Sequence, residues 1–401
     1  MNQETNAHLN TLGVTAARGF RAAGVACGIK KNGALDLALV ASDYDSACAG
    51  VFTTNRVQAA PVVYDKETLA RNARAIRAVV INSGCANACT GEAGLDDVRA
   101  MAAETARALG VQPDQVLVMS TGVIGQRLPM DKIRAGISLA APRLLPKGGA
   151  DAARAIMTTD TRPKVYARRH AAYTIGGMCK GAGMIHPQMA TMLALITTDA
   201  QIAPKRLERA LRVAVNQSFN RITIDGDTST NDTVLVLANG ASGKEIGEEE
   251  MRDFTQTLTQ VCVNLAQQIV RDGEGATKFV EIVVSGARAE EEAVRVAKTI
   301  AHSPLVKTAL YGGDANWGRV IAAAGYSGVA VDPATMTLWF GDVNVFARGT
   351  PTAFNEADST RAIAGKEVSI RLDLGQGEAQ ATVWTCDLSH DYVTINGKYR
   401  T

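Results

Sequence analysis

A layered fold of mixed α-helix and β-strand is what this sequence predicts, on three observations. Short β-branched or apolar runs bounded by Gly, Asn or Ser recur along the chain, as buried strands do. Between them lie stretches whose apolar residues fall three and four apart, the helical period. Aromatic residues make up only 5% while glycine numbers 37 and alanine and valine are plentiful, a composition suited to closely packed sheets and helices.

In chain order, residues 78–81, 116–119, 192–196, 234–237 and 282–284 read as buried strands. The clearest helix is Met251–Arg271, where Phe254, Leu258, Cys262, Leu265 and Ile269 share a face before Asp272 and Gly273 end it. A second helix, over residues 290–301, stops near Ser303 and Pro304. The acidic, glycine-flanked residues 240–250 read as a domain boundary, with another near residues 286–292. A chain of 401 residues is long for one core, so two structural units, or one large unit with an appended module, are expected.

Composition excludes several functions. Formal charge is only +2, from 42 Lys and Arg against 40 Asp and Glu, and the signs are interspersed, so neither nucleic acid nor anionic membrane is an expected partner. A polar start and apolar runs well short of the roughly 20 residues of a membrane span predict a soluble, cytoplasmic protein. Seven cysteines are expected as free thiols, and Cys85 and Cys89, four apart with no second pair and no nearby histidine, make a poor zinc pattern, so no metal is expected. The run from Asp225 to Asp232 begins like a calcium loop, yet Thr230 stands where glycine is needed and Val236 where a bidentate glutamate is needed; a polar turn or substrate loop is expected instead. The phosphate-binding, serine-hydrolase and zinc-protease signatures are absent, and the five histidines are scattered.

One stretch carries chemistry. Residues 176–200 are glycine-rich as far as Gly183, turn at Pro187, and become apolar from Met192, with Thr191 at the join. By periodicity alone Thr191 is an ordinary strand threonine. Placed at a strand's mouth, it can instead attack the carbonyl of Ala190, turning the amide into an ester that water opens. Cleavage would free an α-amine of reference pKa about 8, able to take the hydroxyl's proton, so nucleophile and base would share one residue.

The sequence resembles the ornithine acetyltransferase family, the glutamate N-acetyltransferases of the cyclic arginine pathway. The resemblance runs through ordered blocks: Gly13 to Gly24, Gly50 to Arg56, Asn82-Ser83-Gly84, Ser120-Thr121-Gly122, Thr158-Thr159-Asp160-Thr161, Lys180 to Ala200, Asp272-Gly273-Glu274-Gly275-Ala276-Thr277-Lys278, Gly313 to Arg319, and Asn396. Its departures are small, at Cys179, His186 and Gln188, none of which has a proposed role; His186 is read as a residue that packs near the site or supports the residues that form it.

The resemblance implies autocatalytic cleavage between Ala190 and Thr191, with Thr191 as the nucleophile that carries acetyl, and an oxyanion hole from Thr121 and Gly122. It implies substrate contacts from Thr158, Lys180, Thr191, Glu274, Asn396 and Thr401. The implied fold is an αββα sandwich of the N-terminal-nucleophile type: residues 1–190 form the first part, residues 191–285 complete it, and residues 286–401 make a smaller C-terminal α/β module. The implied reaction moves acetyl from N-acetylornithine to glutamate in arginine biosynthesis without a cofactor, and acetyl-CoA stays open as a second acetyl donor that would make the enzyme bifunctional. The two fragments are expected to remain together as an α2β2 heterotetramer. A self-processing aminopeptidase or amidase is the alternative, sharing fold and cleavage but handing its acyl group to water.

Overall fold

The computed structural model describes Leu9, residues 11–186 and residues 192–398. Its first sheet contains β1 (Phe20–Val25), β2 (Leu37–Phe52), β3 (Ile76–Cys85), β4 (Val116–Val123), β5 (Lys164–Arg169), β6 (Thr174–Lys180), β7 (Leu193–Thr198) and β8 (Thr233–Ala238). The order is β4-β3-β2-β8-β7-β6-β5, with β1 added beside β2. The 16-residue β2 serves two layers. Its residues 37–41 pair with β3, the register breaks before Ser46, and residues 47–52 pair with β8.

Alternation along the strands shows how the layers stack. In β3, Val79 and Ile81 face inward with Leu193 and Leu195 of β7 and Leu235 and Leu237 of β8. Their neighbours Ala78 and Val80 face outward, beneath the helices Gly91–Leu109 and Met130–Ala140. On the far side, Ala194, Ile196, Val234 and Val236 pack beneath the helices Pro204–Asn216 and Met251–Arg271. Three apolar cores therefore separate helix, sheet, sheet and helix, the αββα sandwich. Strands buried on both faces have no polar side to show, which is why they read as continuous apolar runs.

Four of the five predicted strands lie within longer ones, and the strand expected over residues 192–196 is observed as Leu193–Thr198. The helix Met251–Arg271 has the predicted bounds, and Phe254, Leu258, Cys262, Leu265 and Ile269 are all buried along it. Residues 240–250 join β8 to that helix inside the sandwich. A loop within a layer and a linker between domains both need solvated, turn-forming residues, so composition does not tell them apart.

The second sheet holds β9 (Phe279–Ala287), β10 (Thr337–Phe340), β11 (Val343–Ala347), β12 (Thr350–Pro351), β13 (Glu367–Asp373) and β14 (Ala379–Cys386), in the order β12-β11-β10-β13-β9-β14. Its core takes in Val296 and Ile300 of the helix Glu290–His302 and Val320 of the helix Trp317–Gly325. The strand β9 runs from Phe279, before residue 285, to Ala287, beyond it. Thr223 of the sandwich donates its N–H to the Trp384 carbonyl of β14, and the final helix, His390–Lys398, turns back toward the sandwich. No helix among the described residues is long and apolar enough to cross a membrane.

Candidate active site

Six of the predicted residues meet at one cleft. Thr121, Gly122, Thr158, Lys180, Glu274 and Asn396 all line it, drawn from five separated stretches of chain. Ala190, Thr191 and Thr401 lie outside the described residues. The chain on either side of residues 187–191 leads to the same place, because Lys180, the last residue of β6, is the register partner of Leu193, the first of β7.

The ends of β3 and β4 form one wall. These strands run parallel and meet at Gly84 and Gly122, where a β-carbon on Gly122 would stand 2.3 Å from the Gly84 carbonyl carbon. Gly122 also has φ of 132°, which disfavours a side chain. Ser120 donates its hydroxyl to Asn82 Oδ1 at 2.6 Å, and Asn231 donates through Nδ2 to the carbonyls of Ala86 at 2.7 Å and Ser120 at 2.8 Å. Asn231 is itself held by the Thr230 hydroxyl. The backbone around Thr121 and Gly122 is thereby fixed from two sides.

Lys180 is buried, with Nζ 3.3 Å from Thr121 Oγ1. Burial lowers its ammonium pKa, and Asp160 restores part of the loss. For Asp160, burial works against the charged form, but Lys180, Lys164 and the Gly181 amide outweigh it and hold the carboxyl at about 2. Lys164, wholly buried, sits between Asp160 and Asp272, and these partners keep its ammonium above the usual range despite burial. The Thr158 N–H is bound by Asp160 Oδ2 at 3.0 Å.

That network also sets the glutamate. Asp272 ends the helix Met251–Arg271, and two residues later the Glu274 N–H donates to the Ala182 carbonyl at 2.8 Å. Glu274 Oε2 accepts from Asn396 Nδ2 at 2.8 Å. The residue between them and β6 is Gly183, where a β-carbon would lie 2.4 Å from Glu274 Oε2. One buried cation and one carboxylate thus border the same small space, an arrangement suited to a zwitterionic ligand.

Further residues shape the site that sequence reasoning gives no definite role. Asp225 accepts the N–H groups of Met184 at 2.6 Å and Ile185 at 2.8 Å, and the Tyr392 hydroxyl at 3.2 Å, so it ties the approach to residue 187 and the final helix to one carboxylate. The run from Asp225 to Asp232, expected as a polar turn or substrate loop, contributes Asp225, Asp227, Ser229, Thr230 and Asn231 to the lining. The density of Asp, Ser, Thr and Asn in that run is a signal of this; Tyr392 offers none. His186 packs against His302 with the rings tilted by 44° and Nδ1 2.6 Å from Nε2, and burial lowers the pair to about 4 and about 3, so both rings are neutral at pH 7. No group of three or more His, Cys, Asp or Glu able to hold a metal occurs among the described residues.

Comparison with known proteins bears on the family of the whole chain. The chain is 53% identical to the arginine biosynthesis bifunctional protein ArgJ of Symbiobacterium thermophilum, over 97% of this chain and 98% of that one. It is 48% identical to the mitochondrial protein of that name from Chaetomium globosum, over 96% and 88%. Among solved structures, ornithine acetyltransferase complexed with ornithine from Mycobacterium tuberculosis is 49% identical, with TM-score 0.42 over 44% of this chain and 95% of that one. The model of the ArgJ family matches residues 21–401. With a match of that extent and relatives half identical from end to end, this chain belongs to the ArgJ family.

Proposed function

We propose that this chain is a self-processing acetyltransferase that moves acetyl from N-acetylornithine to glutamate through an acetyl ester on Thr191. The observation that carries the reading is the convergence of Thr121, Gly122, Thr158, Lys180, Glu274 and Asn396 on one cleft, at the point where β6 and β7 flank the chain on either side of residues 187–191.

In maturation the Thr191 hydroxyl attacks the Ala190 carbonyl, the C–N bond gives way to an ester, and water hydrolyses it to leave Thr191 with a free α-amine. In turnover that amine takes the hydroxyl's proton, Thr191 attacks the acetyl carbonyl of N-acetylornithine, and ornithine leaves with the proton. Glutamate's amine then attacks the ester and departs as N-acetylglutamate. Each tetrahedral intermediate carries an oxyanion, stabilised by donors at Thr121 and Gly122, each worth about 3 kcal/mol of barrier. Lys180 and Glu274 supply the opposite charges needed by substrates that bear both a carboxylate and an ammonium.

The relatives are called bifunctional, which supports a second activity; acetyl-CoA as an alternative donor to the same nucleophile is the form we propose. Association of the two fragments after the cut is supported by the sheet, in which β6 of the first fragment pairs with β7 of the second, and β2 pairs with β8. An α2β2 assembly is the simplest extension.

The decisive test is the Thr191→Ala chain, expected to stay uncut, folded and inactive while wild type yields a second fragment that starts at Thr191. Active enzyme with an unbroken chain would overturn the proposal. Ornithine released from N-acetylornithine equally fast with and without glutamate would favour a hydrolase.

A further inference from the structure

The two ends of the proposed cleavage segment are held by one loop. Upstream, Asp225 accepts the N–H groups of Met184 and Ile185. Downstream, Asp232 Oδ1 accepts the Met192 N–H at 2.9 Å. Asp232 is fully buried, and its other oxygen, Oδ2, has no hydrogen-bond partner among the described residues. An ionised carboxylate left half unsatisfied in a dry interior is costly, so such a group favours its neutral, proton-bearing form. Burial accordingly raises the Asp232 pKa well above the usual carboxylate range, against the pull of the Met192 amide and Lys180.

Resting on the self-cleavage proposed above, we propose that Asp232 is the proton carrier of that cleavage, giving its proton to the Thr191 nitrogen as the Ala190–Thr191 bond breaks and recovering one from the Thr191 hydroxyl. The scissile nitrogen precedes the Met192 nitrogen by one residue, at most about 3.6 Å of chain. In the shift, the bond from Thr191 Oγ to the Ala190 carbonyl carbon forms and the bond from that carbon to the Thr191 nitrogen breaks. One proton leaves Oγ and one reaches nitrogen, so a carboxylic acid that exchanges one for the other ends unchanged, and no outside acid or base is consumed. An amide nitrogen is a poor leaving group without that proton, which is why an acid at this position matters.

The test uses the full-length precursor, followed on denaturing gels as it converts to two fragments. Asp232→Asn keeps the size and the acceptor for Met192 N–H and matches the neutral charge of the acid, but cannot pass a proton. Its melting temperature is expected to stay near wild type while cleavage slows by a factor of about 10² to 10⁴. Asp232→Ser, which keeps an acceptor in its hydroxyl, is the second variant, expected to show the same loss, and the cleavage rate is taken from whichever of the two folds. Cleavage at the wild-type rate in a folded variant overturns the proton-carrier role. Wild-type precursor that never cuts would instead sink the self-cleavage on which the role depends.

Discussion

Gly122→Ala puts the geometry of the β3–β4 junction to a quantitative test. An added methyl would stand 2.3 Å from the Gly84 carbonyl carbon and 2.5 Å from the Cys85 nitrogen, where ordinary contact begins at 3.4 Å. Both obstacles are backbone, so the strand ends must part by about 1 Å, a displacement that costs around a hundredfold in rate when it falls on groups that position reacting atoms. Forcing that separation should also lower stability by about 1–3 kcal/mol. The assay is the half-time of conversion of full-length chain to fragments, then the steady-state rate of acetyl transfer by matured enzyme, with thermal melting alongside. Gly125→Ala provides the control: it too has positive φ, 82°, but its β-carbon would meet nothing within 4 Å, so it should lose stability without a comparable loss of rate. If Gly122→Ala cleaves and transfers as fast as wild type, the donors at Thr121 and Gly122 are not the oxyanion hole.

Two further outcomes follow from other parts of the site. Gly183→Ala would drive a methyl to 2.4 Å from Glu274 Oε2 and turn the carboxylate away from Asn396; KM for N-acetylornithine should rise about tenfold, a change of about 1.4 kcal/mol, and an unchanged KM would remove Glu274 from substrate binding. His186 and His302 are neutral when folded, with pKa values of about 4 and about 3, whereas an unfolded histidine takes its proton near pH 6.5. Below about pH 6.5 the unfolded chain therefore binds more protons than the folded one, and stability should fall with pH down to about pH 4. Thermal melts of wild type and His302→Gln over that range test this: the variant should lose less stability on acidification, and identical slopes would refute the assignment.

Legibility in the sequence followed the range of the interactions concerned. The helix Met251–Arg271 was readable to its ends because its buried face recurs within every turn and Asp272-Gly273 stops it locally. Strands such as β3 and β8 were readable as apolar runs, but which of their faces meets helices and which meets the opposing sheet is not encoded in the run. Lys180 and Glu274 were assigned through ordered blocks of family resemblance, since a lone lysine or glutamate carries no signal that it is buried. Asp232 had no such support. Its significance comes from an oxygen without a hydrogen-bond partner among the described residues and from the Met192 N–H, both of which exist only once β7 and β8 lie side by side.

What the sequence alone determined is the set of local elements, the glycine-rich approach to Thr191 and the identity of the family, all properties of neighbouring residues or of their order. What only the tertiary structure decided is the switch of β2 between two layers, the buried chain of Asp160, Lys164 and Asp272 that sets Glu274, and the grip of Asp225 and Asp232 on either side of the proposed cut. These depend on residues far apart along the chain becoming adjacent in an interior with little water, and burial and charge pairing acquire their strength only there.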